Sequence, residues 1–92
     1  MENVRWQSVL DLVAQPRASE DTALLFGLLL SHDERESIGG RLAVFRALLD
    51  GQMSQRQIAA SLGVSIATIT RASNNLKTMS EAERALLSRL IL

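Results

Sequence analysis

Ser54-Gln55-Arg56-Gln57-Ile58-Ala59-Ala60-Ser61-Leu62-Gly63-Val64-Ser65-Ile66-Ala67-Thr68-Ile69-Thr70-Arg71-Ala72 is the stretch on which the reading of this chain turns. It spells a short helix, a glycine turn and a second helix. Ile58 and Leu62, four apart, are expected to face inward, with Ala59 small where the helices cross and Val64 filling the angle. Gly63 permits the tight turn, Ser65 can cap the second helix, and Ile69 and Leu76 anchor it. Its outward residues, Ala67, Thr68, Thr70, Arg71 and Asn74, are short or able to donate and accept hydrogen bonds. That suits a helix entering a DNA major groove about 12 Å wide.

Charge supports this reading although the chain's formal net charge is zero. Residues 1–50 hold five arginines against eight carboxylates, while residues 51–80 hold Arg56, Arg71 and Lys77 and no acid at all. An acid-free surface can approach phosphates without local repulsion. The same density of positive charge also fits a plain solvated face.

The rest of the 92 residues reads as helix, spaced apolar by three or four, with no strand alternation; the class is all-α, in six helices forming one domain over 1–92. Trp6, Val9, Leu10 and Val13 form one stripe on a first helix that ends before Pro16, so Trp6 is expected in a core. A second helix opens at Ser19, with Glu20 and Asp21 at its positive end, and runs into an apolar stretch from Ala23 to Leu30. A helix apolar on all sides must be surrounded, and the expected cover for it in so short a chain is a second copy. Composition agrees: 47% of residues are apolar and only 3% aromatic, an aliphatic excess for a single small domain.

Capping-box spacing marks three later helix starts, at Ser31…Glu34, Ser54…Gln57 and Ser80…Glu83. The helix after Ser31 places Ile38, Leu42, Phe45, Leu48 and Leu49 on one face and stops at Gly51. Gly39-Gly40 inside it costs about 1 kcal/mol per residue relative to alanine, which calls for a close helix crossing or a ligand lying against the backbone. The last helix, with Ala82, Leu86 and Leu90 in line, serves packing. His32 reads as a solvated first-turn residue.

Three stretches resemble the bacterial tryptophan repressor family: Asp33-Glu34-Arg35-Glu36, Leu48 through Arg56, and Ile66 through Lys77. The resemblance covers roughly residues 24–92. It implies an intertwined all-helical homodimer, with residues 1–53 and 80–92 as dimerisation core and 54–77 as helix-turn-helix heads on a double-stranded operator. The family is itself a standard example of the motif and of water-mediated base contacts. On that basis Gln55, Arg56, Ser65, Ile66, Ala67, Thr68, Thr70 and Lys77 are the expected DNA-binding residues, with Thr68 and Thr70 towards bases and Arg56 and Lys77 towards phosphate.

The resemblance also implies a corepressor, L-tryptophan, held by Leu28, Leu30, Ser31, Arg41, Phe45, Arg71, Ala72 and Asn75. Arg41 and Arg71 would flank the indole, Arg71 and Ser31 would meet the carboxylate, and the carbonyls of Leu28 and Leu30 from the partner chain would receive the ammonium. This chain departs from the family at Ala72, commonly glycine, at Asn75, often serine, and at Phe45, usually a smaller aliphatic. A methyl pressed into a packed ligand site costs roughly 1–3 kcal/mol, so weakened tryptophan binding is expected.

Cysteine is absent, one histidine is present, and there is no phosphate loop, metal-ligand spacing or nucleophile beside a base, so no enzyme, metal site or other cofactor is expected. No secretory signal or spanning segment is legible, and a cytoplasmic protein with no membrane partner is expected. Two other functions fit the same residues: a helix-turn-helix dimer with a different effector or none, and a structural helical module docking an acidic protein.

Overall fold

A computed structural model describes residues 3–92, which form six α-helices: α1 (Val4–Val13), α2 (Ser19–Leu29), α3 (His32–Asp50), α4 (Gln55–Leu62), α5 (Ile66–Lys77) and α6 (Glu81–Ile91). The chain divides into two units, one ending at Asp33 and the other running from Glu34 to Leu92.

In the first unit α1 stops three residues before Pro16, and the Leu12 carbonyl near its end accepts both the Gln15 amide, at 3.2 Å, and the Arg17 guanidinium. Trp6 does not enter a core: it is 58% exposed, and Leu10 is exposed beside it. Val9 and Val13 of the same stripe are half-buried, so the stripe is covered only in part. Ser19 is the first helical residue of α2 and not its cap; Ala18 holds that position in extended conformation without a side-chain bond. Glu20 and Asp21 sit in the first turn as the helix dipole favours. Leu24 and Leu28 are 76% and 82% exposed, so the apolar α2 is left open.

The second unit is built on local rules that close cleanly. At α4 the Gln57 amide donates to Ser54 Oγ at 3.1 Å while the Ser54 amide donates to Gln57 Oε1 at 2.8 Å. At α6 the Glu83 amide donates to Ser80 Oγ at 3.1 Å and the Ser80 amide to Glu83 Oε1 at 2.8 Å. Each reciprocal pair satisfies two amides that the helix start leaves without partners. Gly51 after α3 and Gly63 after α4 have φ of +73° and +67°, the left-handed conformation that ends both helices. The Arg46 Nε donates to the Ile91 carbonyl at 2.6 Å, tying α3 to the end of α6, where a cation also meets the negative end of the helix dipole.

The core of this unit is Val44, Ile58 and Ile69, all fully buried, with Ala72, and Phe45, Ala47, Leu48, Ala59 and Val64 packed around them. One residue each of α3, α4 and α5 thus meets at its centre. Leu62, expected inward with Ile58, is exposed instead. The amides of Gly63 and Val64 both donate to the Ala59 carbonyl, at 3.0 and 3.2 Å, so the chain turns away immediately after Leu62 and Val64 takes the corner. On α3 the apolar side is split: Phe45 and Leu48 pack on the core, whereas Ile38 and Leu42 remain exposed. The Gly39-Gly40 pair marks no close crossing in this chain, because a Cβ at either glycine would have nothing within 4 Å.

Candidate functional site

A cavity of about 480 Å³, open to solvent, lies between α3 and α5. The α3 wall carries Glu36, Ser37, Gly40, Arg41, Val44 and Phe45, and the α5 wall carries Thr68, Arg71, Ala72 and Asn75, with Val64 at the turn. Its floor is core: Val44 and Ala72 are buried in the hydrophobic cluster and face the cavity as well. Glu36, Arg41 and Arg71 are exposed, so one carboxylate and two guanidinium groups stand at the rim of an apolar base. Such an arrangement suits a flat apolar body bearing charged substituents, since the guanidinium plane can stack on a ring and pair with a carboxylate.

Five of the residues expected at a corepressor, Arg41, Phe45, Arg71, Ala72 and Asn75, line this one cavity. The other three, Leu28, Leu30 and Ser31, lie in the first unit, at the end of α2 and directly after it. Gly40, where a ligand lying against the backbone was one of two expected causes, lines the cavity; sequence reasoning missed Glu36, Ser37 and Val44 on the same α3 wall. Their signal was available: Glu36, Gly40, Arg41 and Val44 recur at helical spacing, so carrying the Arg41 face one turn in each direction finds them.

Among the residues expected at DNA, Gln55, Arg56, Ser65, Ile66, Ala67, Thr70 and Lys77 are exposed on α4, α5 and the turn. Gln55 also has an internal task, since its side-chain amide donates to Ser73 Oγ at 3.3 Å and holds the first turn of α4 to α5. Thr68 stands apart from the group: it is half-buried, lines the cavity, and its hydroxyl lies 2.9 Å from that of Ser65. Ser65 caps α5 by accepting the Thr68 amide at 3.1 Å.

Two capped helices, joined through a left-handed glycine and packed on one shared core, make the Glu34–Leu92 unit a helix-turn-helix structure. The Trp repressor protein family profile matches residues 4–91. A Trp operon repressor homolog of Vibrio cholerae is 49% identical over 87 residues, covering 95% of this chain and 84% of its own. A Trp operon repressor homolog of Vibrio atlanticus is 42% identical over 91 residues, covering 99% of this chain and 93% of its own. The chain belongs to the Trp repressor family, whose members are transcriptional repressors and not enzymes. Among the described residues no His, Asp or Glu group could hold a metal ion, and no helix is long and apolar enough to cross a membrane.

Proposed function

We propose that this chain is a cytoplasmic, homodimeric, DNA-binding repressor gated by tryptophan or a closely related indole-bearing amino acid. The observation that carries this reading is the double duty of α5. One side of it, through Thr68, Arg71, Ala72 and Asn75, lines the cavity, while Thr70 and Lys77 are exposed. A ligand wedged between α3 and α5 therefore acts on the helix that would read the operator. The ring lies between Arg41 and Arg71 against Phe45 and Ala72, near Asn75. Arg71 and Ser31 take the carboxylate, and the carbonyls of Leu28 and Leu30 in the partner chain take the ammonium. Residues 1–53 and 80–92 form the dimer core, and residues 54–77 enter adjacent major grooves of double-stranded DNA. The names of the Vibrio relatives support tryptophan as the signal.

Affinity for duplex DNA with and without tryptophan tests the whole reading, and two variants test its parts. Lys77→Ala is expected to weaken binding to all sequences alike and to flatten the salt dependence by about one unit, as loss of one phosphate contact does. A changed sequence preference with an unchanged salt slope would show that Lys77 meets bases instead. Ala72→Gly is expected to bind tryptophan more tightly in calorimetry because the methyl faces the cavity, even though the helix loses about 1 kcal/mol of stability. No heat with either protein would leave the chain with another effector or none.

A further inference from the structure

The start of α5 carries a feature that the gated reading does not use. Ser65 Oγ accepts the Thr68 amide at 3.1 Å and lies 2.9 Å from Thr68 Oγ1, and either hydroxyl can be the donor in that second contact. Ser65 is exposed, and Thr68 is half-buried in the cavity wall. A hydroxyl has one proton to give and two lone pairs to receive with. With one lone pair of Ser65 committed to the Thr68 amide, the pair has two arrangements. In the first, Ser65 donates to Thr68, and the Thr68 proton is free to point into the cavity. In the second, Thr68 donates to Ser65, and the Ser65 proton is free to point outward.

We infer that the Ser65–Thr68 hydroxyl pair relays the occupancy of the cavity to the outer surface of α5. A ligand N–H that donates to Thr68 Oγ1 favours the arrangement in which Thr68 donates to Ser65. The Ser65 proton then serves an anionic acceptor outside the protein, a phosphate oxygen of the DNA backbone. A ligand that offers only an acceptor at Thr68 selects the opposite arrangement and leaves Ser65 with no proton for phosphate. Thr68 is thus a ligand-contact residue, and Ser65 is a positioning residue whose hydrogen-bond polarity reports the ligand. The inference rests on the gated, DNA-binding reading above, and it adds a chemical requirement to the effector: a donor on the part that faces α5.

The test uses the full chain and the duplex that the wild type enriches from a random-sequence pool, titrated with no tryptophan and with saturating tryptophan. Thr68→Val removes Oγ1 at nearly constant shape and keeps the backbone amide that Ser65 caps. Ser65→Gly removes the other hydroxyl while costing the cap little. Each is expected to cut the tryptophan-dependent gain, read as the ratio of affinities with and without tryptophan, by about tenfold, the scale of a hydrogen bond to a charged group, on top of whatever it costs in both conditions as a residue of the DNA-binding surface. Thr68→Ser, which keeps the hydroxyl, restores the gain, and the double variant loses no more than either single one. A gain that survives Thr68→Val, or equal losses with and without tryptophan, overturns the relay and leaves gating intact. A wild type that binds its duplex equally in both conditions overturns the gating, and the relay with it.

Discussion

Ile69→Ala is expected to lower the stability of the chain by about 3 kcal/mol and to abolish duplex binding at every tryptophan concentration. Ile69 is fully buried, and with Val44 and Ile58 it makes up the centre at which α3, α4 and α5 meet. Removing three carbons from such a site loses their transfer energy and leaves a cavity, a combined cost of roughly 2–5 kcal/mol. The neighbours cannot collapse easily into the gap, because α4 is an eight-residue helix tied down mainly by Ile58. Helices this short are unstable alone, so α4 stands or falls with that contact. Urea denaturation followed by circular dichroism measures the effect, with Ile69→Val as a milder reference at about 1 kcal/mol. A shift below about 1 kcal/mol for the alanine variant would mean that the unit is held together elsewhere.

Leu28→Glu is expected to convert the protein from two chains to one in sedimentation at micromolar concentration. Leu28 is 82% exposed and Leu24, one turn away, is 76% exposed, on a helix whose other residues from Ala23 onward are nearly all apolar. A carboxylate carried into an apolar dimer interface costs several kcal/mol, and about 4 kcal/mol already weakens association a thousandfold. Folding of the second unit is expected to be spared, since Leu28 is not part of its core. A folded wild-type monomer at that concentration would refute the dimer.

The parts of the fold that were legible in sequence are those decided within a few residues. Ser54 with Gln57, Ser80 with Glu83, Ser65, and the turn at Gly63 each obey a rule that operates over three or four positions, and each appears as expected. What was not legible is which of several apolar faces a neighbour covers. On α3 the spacing of Ile38 and Leu42 is as good as that of Phe45 and Leu48, yet only the latter pair packs on the core, and Val44, its centre, had been passed over. Periodicity says that a face wants cover and not what supplies it, which is also why Trp6 was expected inside. The cavity joins residues some thirty positions apart, and no local rule brings Arg41 to Arg71. Those positions came from the family resemblance, whereas Val64, on the turn before α5, required the packed helices to show as a wall residue.

Four of the five glycines of the chain divide into two kinds, and they set different limits on how this sequence can vary. Gly51 and Gly63 have open space around them but positive φ, so any side chain there strains the backbone and folding itself rejects it. Gly39 and Gly40 are helical, also with open space, and the chain alone would accept alanine at both with a gain of about 1 kcal/mol each. Variation at the turn glycines is therefore policed by torsion, in any assay that reads the folded state. Variation at the α3 glycines escapes that filter and is visible only to what comes to lie against the helix, so a repressor can drift there towards greater stability and lose its response to the signal without ever failing to fold.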